Sequence, residues 1–195
     1  NNGSDLNNGS YYAPWKTIAH AKSVLKPGDT LLIMDGIYKG AGENVGIVFF
    51  QYGTNPRYQV SGEPGNPITY RAYNKGYGIH PIFDAEFSQD VCSDYHCDVF
   101  KTVYAHDIVF DSLWVRNVDN HLSESGGFIQ RYSDRIDFID CYVSNIIGGD
   151  RGELSCAFCF CGTHNSSVAG ARAWNLHGSS VQNKGAVNIY YGAGS

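Results

Sequence analysis

The sequence is poor in charge and contains no long apolar run. Only 17% of its 195 residues are charged, and the formal net charge is −5. A protein that binds nucleic acid needs a basic stripe that offsets the charge of the phosphates, so the net negative charge argues against a nucleic-acid partner. No stretch approaches the roughly 18 apolar residues of a membrane span, so none is expected. No secretory signal is visible either, and the start NNGSDLNNGS resembles that of a mature or trimmed protein.

Hydrophobic residues, glycine and tyrosine are what the sequence does contain. Hydrophobic residues make up 43% of the chain, which has 23 Gly and 14 Tyr. This composition is typical of a β-rich globular or solenoid protein rather than a disordered one. A chain of this length is long enough to bury a sizeable core. We therefore expect one domain over residues 1–195.

A short segment of the sequence recurs. Residues 108–118 read IVFDSLWVRNV, residues 136–146 read IDFIDCYVSNI, and residues 166–176 read SSVAGARAWNL. The offset from each copy to the next is about 28–30 residues, which lies within the periods of repeat architectures. Such a period, built from short alternating apolar runs, indicates stacked strands of a solenoid. The sequence therefore predicts an all-β protein, a parallel β-helix with a coil period of about 28 residues.

The two ends of the chain predict different features. Residues 14–25 have apolar residues at helical spacing, and Pro14 suits a first helical turn, so we expect a short capping helix. Residues 1–40 then form the cap and first strand, and residues 41–195 form the stacked coils. Residues 185–195 begin a new coil, so we expect an uncapped C-terminal end. A longer polypeptide, a second chain or head-to-tail self-stacking would complete it.

Three motifs near the start of the chain resemble a known family. In order, they are GS-x3-PWKTI-x2-A at 9–21, LKPGDTLLI-x2-GIY at 25–38, and GEPGNPITYRAY at 62–73. Together they resemble the N-terminal region of right-handed parallel β-helix proteins of the pectate-lyase-like superfamily, and within it the extracellular polysaccharide lyases. The resemblance implies the fold, secretion and a polysaccharide partner. The motifs themselves belong to the scaffold and do not specify chemistry.

Asn117, Asn145 and Asn175 occupy the same place in the three copies of the repeat. Coils stack at about 4.8 Å, so each amide would lie above the previous one and could donate a hydrogen bond to it. We predict a structural ladder of asparagines. The alternative is that these amides bind sugar directly.

Lys101 and Arg131 are the candidate catalytic residues. Aligning residues 98–104 with residues 127–132 places Phe100 over Phe128 in the core and both cations on the outer face. Their Cα atoms would lie about 7–8 Å apart. In the resembling lyases this face is the floor of the sugar cleft, where cations neutralise a uronate carboxylate and a Lys or Arg removes the proton α to it. The alternative is two solvated surface cations.

Two polar loops, at 119–126 and 148–153, would flank that face as cleft walls. Their candidate ligands for sugar or Ca²⁺ are His121, Glu124, Asp150, Arg151 and Glu153. A Ca²⁺ site needs several convergent oxygens, which one Asp and one Glu in a loop do not establish, so no metal is assigned. The acidic members of this set would also suit glycoside hydrolysis, which needs two carboxylates across a cleft.

The cysteines and the sequons bear on the cellular compartment. The disulfide candidates are Cys92, Cys97, Cys141, Cys156, Cys159 and Cys161. The first two bracket a short loop that a local disulfide would fit, and the last three crowd one strand, but the pairing stays open. The CxxC pair with His164 would also suit zinc, although no second pair lies at the required spacing. The glycosylation candidates are Asn2, Asn8 and Asn165, and we expect a secreted glycoprotein.

Three functions remain open at this point. The preferred one is a secreted polysaccharide lyase that cleaves a uronate-containing polysaccharide by β-elimination. The second is a noncatalytic solenoid that binds glycans or stacks head to tail into an extracellular assembly or filament. The third is a glycoside hydrolase.

Overall fold

Parallel strands make up most of the structure. The computed structural model describes residues 3–39, 48–49, 61–87, 96–119, 124–148, 155–178 and 184–190. These ranges hold one α-helix, α1 (Ile18–Val24), and fifteen strands in three five-stranded sheets. The first sheet contains β1 (Thr30–Ile33), β4 (Ile68–Ala72), β7 (His106–Asp111), β10 (Asp134–Ile139) and β13 (Ser167–Ala169).

The other two sheets have the same form. The second contains β2 (Ile37–Lys39), β5 (Ile82–Asp84), β8 (Trp114–Asp119), β11 (Tyr142–Gly148) and β14 (Arg172–Gly178). The third contains β3 (Val48–Phe49), β6 (His96–Val103), β9 (Glu124–Arg131), β12 (Ser155–Cys161) and β15 (Lys184–Tyr190). Along the chain, consecutive strands belong to the three sheets in turn. This all-β arrangement is compatible with a parallel β-helix-like solenoid.

The pairing of strands follows the sequence repeat. Ile136 lies beside Ile108, and Val143 lies beside Val115, so the second copy of the repeat pairs with the first at equivalent positions. Trp174, from the third copy, lies beside Ser144 of the second. The alternation of apolar and polar residues is therefore kept from one strand to the next within each sheet.

Stacked aromatic rings fill the core. Phe128 lies between Phe100 and Phe158, with ring centroids 5.1 and 5.4 Å apart and planes within 9° and 2° of parallel. Phe110 stacks in the same way on Phe138, at 5.5 Å. All five are at most 1% exposed. Burying each ring contributes about 1.5–3 kcal/mol, so this stack is a large part of what holds the neighbouring strands together.

The helix begins later than the sequence predicts. Thr17 is extended and its side chain accepts a hydrogen bond from the His20 amide, so it is the N-cap and Pro14 lies outside the helix. The carboxylate of Asp5 accepts from the Thr17 amide at 2.9 Å and from the Thr17 hydroxyl at 2.8 Å. Ile18 is buried on the inward side.

No helix among the described residues is long and apolar enough to cross a membrane.

The asparagine ladder is present as a chain of hydrogen bonds. Asn175 Nδ2 donates to Asn145 Oδ1 at 3.1 Å, and Asn145 Nδ2 donates to Asn117 Oδ1 at 2.8 Å. Asn117 in turn donates to Asp84 at 2.8 Å. All three asparagines have left-handed backbones, with φ between 54° and 58°. Asparagine tolerates this conformation better than most residues, so one residue type provides both the bend and the stack.

Candidate functional site

The outer face of the third sheet carries both candidate catalytic residues. Lys101 lies beside Ile129, and Val103 lies beside Arg131. The next strand continues these two columns with Cys159 and Cys161, as the alignment predicts. Lys101 and Arg131 are therefore diagonal neighbours, one strand apart and two positions along.

Burial distinguishes the two cations from ordinary surface residues. Lys101 is only 9% exposed, and its neighbours Val103 and Ile129 are 3% and 4% exposed. Arg131 is half-buried. Lysine is rarely buried this far. The alternative of two solvated surface cations therefore does not fit Lys101.

A disulfide lies on the same face. Cys156 is bonded to Cys159, with Cα atoms 6.0 Å apart. In a regular strand, side chains three positions apart, such as those of Cys156 and Cys159, point to opposite faces. Here Ala157 and Phe158 both lie in the core. The cysteines on either side of them therefore both face outward. The zinc alternative fails for this pair, since its two sulfurs are bonded to each other.

Cys141 is not a disulfide cysteine, which corrects one of the sequence predictions. Its side chain is fully buried and its thiol donates to the Phe110 carbonyl at 3.4 Å. Burial raises the pKa of this thiol to about 12, so it stays protonated. Cys161 is half-buried and is not part of the Cys156–Cys159 bridge. Cys92 and the side chain of Cys97 lie outside the described residues.

A pair of tyrosines at the end of this face is absent from the sequence prediction. Tyr104 and Tyr132 follow Val103 and Arg131 directly, and their rings stack at 5.2 Å with planes 16° apart. Each is 55% exposed. Tyr104 and Tyr132 have the same separation in the sequence as the first two copies of the repeat. This spacing could have predicted that the two tyrosines lie side by side. Exposed aromatic rings of this kind offer apolar contact area to a sugar ring.

The remaining predicted ligands fall largely outside the described structure. His121, Asp150, Arg151 and Glu153 lie outside the described residues, as does the side chain of Glu124. Their grouping around the cations therefore stays a prediction. Within the described ranges no three His, Cys, Asp or Glu side chains converge as metal ligands, so no residue set for Ca²⁺ is defined there.

Two of the three predicted glycosylation sites are described. Asn165 is exposed and donates to Asp134 at 3.0 Å, and Asn8 is exposed and accepts from the Ser10 amide at 3.1 Å. Asn2 lies outside the described residues. The exposure of Asn8 and Asn165 is what a modified asparagine requires.

Three of the buried carboxylates are paired and are poorly suited to act as general acids. Arg135 hydrogen bonds hold the pKa of Asp107 below its usual value. Burial would raise the pKa of Asp111, but hydrogen bonds from Lys75 and Arg71 outweigh it, at 2.7 and 2.8 Å, and the net shift is downward. The pKa of Asp84 is likewise lowered. A glycosidase acid needs a raised pKa, so none of these three supports hydrolysis.

Comparisons with known proteins agree with a polysaccharide-lyase-like β fold. No family model matches the chain. A solved structure of a rhamnogalacturonan lyase superposes with a TM-score of 0.64 over 89% of this chain and 50% of its own, at 18% identity. The uncharacterized protein YwoF of Bacillus subtilis (strain 168) is 25% identical over 148 residues, covering 74% of this chain. The chain thus spans 28% of YwoF and half of the lyase, and the structural likeness shows the fold alone.

Proposed function

We propose that residues 1–195 form one right-handed parallel β-helix domain of the pectate-lyase-like kind. The offset between paired strands equals that of the sequence repeat and supports the coil period, and the buried Ile18 of α1 supports the role of that helix as a cap. The Cys156–Cys159 disulfide supports secretion, because disulfides persist mainly in oxidising compartments.

The function that this site supports best is lyase-type cleavage of an anionic, uronate-containing polysaccharide. The observation that carries it is a lysine withdrawn from solvent on an outward strand face, diagonal to Arg131. The rhamnogalacturonan lyase with the similar fold supports the class of substrate. The polar loop residues His121, Glu124, Asp150, Arg151 and Glu153 would contact the sugar on either side.

The two cations would divide the work of β-elimination. The Arg131 guanidinium, a planar fork, pairs with the uronate carboxylate and stabilises the charge that develops there. The side-chain nitrogen of Lys101 is the base that accepts the proton from the carbon α to that carboxylate. The electron pair of the broken C–H bond forms a double bond in the ring, and the glycosidic C–O bond on the carbon β to the carboxylate breaks. The departing sugar oxygen keeps the electron pair of that bond and takes up a proton from water. The product is an unsaturated sugar.

The ultraviolet absorbance of that product provides the test. The full-length protein is incubated with rhamnogalacturonan, pectate, alginate and glycosaminoglycans, together with Lys101→Ala and Arg131→Ala. We expect absorbance to rise on at least one substrate and to fall about a hundredfold or more in rate with either variant. The exposed Lys26→Ala is the matched control and keeps the wild-type rate. Absence of the product on every substrate refutes the proposal.

The exposed Tyr104–Tyr132 pair favours a second candidate, a noncatalytic glycan-binding module. This function predicts binding of the same polysaccharides without turnover. Isothermal titration would then show binding that survives Lys101→Ala and Arg131→Ala but weakens in Tyr104→Ala and Tyr132→Ala. Product release by the wild-type protein contradicts this alternative.

A further inference from the structure

The outer face of the second sheet carries a group of aromatic rings and one exposed cation that the proposed lyase site does not use. Trp114, Tyr142 and Arg172 are partners in register on β8, β11 and β14, and Trp174 lies two positions beyond Arg172. His80 precedes β5 and lies on the ring of Tyr142. We call these five residues the aromatic surface.

The rings of the aromatic surface are held in place by one another. The His80 and Tyr142 centroids are 4.1 Å apart with planes at 23°. Trp174 packs at 5.6 Å from Trp114 and at 6.2 Å from Tyr142. The Trp114 indole N–H donates to Ser144 Oγ at 2.9 Å. The arrangement therefore exists before any ligand binds, which lowers the entropy cost of binding.

Trp174 is the ring of this surface that a ligand can reach most easily. It is 39% exposed, while Trp114 and Tyr142 are half-buried at its sides. A large, rigid and partly exposed ring of this kind supplies contact area at little cost in side-chain entropy.

Arg172 gives the aromatic surface a positive charge that is not neutralised within the described structure. Its Cζ lies 5.4 Å from the centroid of the Tyr142 ring, and the side chain is exposed. No carboxylate among the described residues pairs with it. Arg116 is different: it lies 5.7 Å from the Trp114 ring but is paired with Asp84 at 2.7 Å. In a chain of net charge −5, an unneutralised arginine over the Tyr142 ring favours an anionic ligand.

We propose that the aromatic surface is a second binding site for an anionic polysaccharide, separate from the face that carries Lys101 and Arg131. A pyranose ring lies against Trp174, and a uronate carboxylate pairs with the guanidinium of Arg172, which lies over the Tyr142 ring. This occupant rests on the uronate-containing substrate of the proposed function. The site retains a long chain on the protein by a surface other than the one that cleaves it, so its contribution grows with the length of the polysaccharide.

Affinity electrophoresis and isothermal titration with polygalacturonate test this assignment in the full-length protein. Trp174→Ala and Arg172→Ala are the variants, and Tyr77→Ala, which removes an 84% exposed ring elsewhere, is the matched control. We expect about tenfold weaker binding for Trp174→Ala and wild-type binding for Tyr77→Ala. We also expect the affinity of Arg172→Ala for polygalacturonate to fall less steeply with salt concentration than that of the wild type, because one charge pair that salt screens has been removed.

Three results would overturn the proposal. The first is equal affinity of Trp174→Ala, Arg172→Ala and Tyr77→Ala for polygalacturonate. The second is equally tight binding of the wild type to neutral dextran, which would remove the role of Arg172. The third is an effect of Trp174→Ala on self-association alone, detected by light scattering, which would make the surface a contact between copies of the chain.

The same experiment separates this inference from the proposed function. Lys101→Ala is expected to abolish product formation while the aromatic surface still binds polygalacturonate. Binding that depends on Trp174 in a protein without lyase activity would uphold the aromatic surface and refute the lyase. Lyase activity of the wild type, together with polygalacturonate binding that is unchanged in Trp174→Ala, would uphold the lyase and refute the aromatic surface.

Discussion

Replacement of Asn145 by alanine is expected to destabilise the fold more than replacement of Asn175, which makes a single hydrogen bond within the ladder. Asn145 is the middle member, which accepts from Asn175 at 3.1 Å and donates to Asn117 at 2.8 Å. Alanine removes both hydrogen bonds, each contributing about 0.5–1.5 kcal/mol net. It must also adopt a φ of 55°, which alanine tolerates less well than asparagine because it has no polar side chain to support the left-handed backbone, and the cost is at most about 1–2 kcal/mol. The sum is at most about 2–5 kcal/mol of unfolding free energy.

Two further variants separate these contributions. Asn145→Gly loses the same hydrogen bonds without the strain, so we expect about 1–3 kcal/mol. Asn175→Gly breaks one hydrogen bond at an exposed position and is expected to cost about 0.5–1.5 kcal/mol. Asn8→Ala, at an exposed site outside the ladder, is the control and should stay within about 0.5 kcal/mol of wild type.

Urea unfolding followed by circular dichroism measures these free energies. The expected order of destabilisation is Asn145→Ala, then Asn145→Gly, then Asn175→Gly. An Asn145→Ala variant as stable as the Asn8→Ala control would refute the structural role of the ladder. A glycine variant less stable than the alanine variant would refute the role of the left-handed backbone.

Three other changes have expected outcomes. Phe128→Ala empties the middle of a ring stack and should cost about 3–5 kcal/mol in urea unfolding; a cost below about 1 kcal/mol would contradict the packing. The double variant Cys156→Ala, Cys159→Ala removes a bridge that closes a very short loop, so its unfolding free energy should fall by only about 2 kcal/mol. A variant that stays folded but loses activity would indicate a functional disulfide. Asp107 has a pKa below its unfolded value of 3.8, so its contribution is complete above about pH 4 and is lost as the pH falls through the folded pKa. Asp107→Asn should therefore flatten the fall of stability in acid, and an unchanged pH profile would contradict the ion pair with Arg135.

The sequence predicts the parts of this fold that repeat. Phe100 and Phe128, or Asn117 and Asn145, lie side by side because parallel strands in register bring equivalent positions of the repeat to the same height. A constant offset in the sequence therefore translates directly into contacts. The same logic places Lys101 on an outward column.

The features that the sequence does not predict are those where the repeat is interrupted. Ala157 and Phe158 both face the core, which breaks the alternation of a strand and brings Cys156 and Cys159 to one side. The burial of Lys101 is also not predictable, because alternation says which face a residue lies on and not what covers that face. Both features depend on contacts between distant segments rather than on local pattern.

The position of a bound oligosaccharide would show whether Lys101 and Arg131 form the cleavage site. A crystal structure of Lys101→Ala with an oligouronate would show whether substrate lies on the outer face of the third sheet. We expect a uronate carboxylate within about 2.7–3.2 Å of the Arg131 guanidinium, with the carbon α to that carboxylate facing position 101. An oligosaccharide that binds without contacting Arg131 would contradict the proposed site.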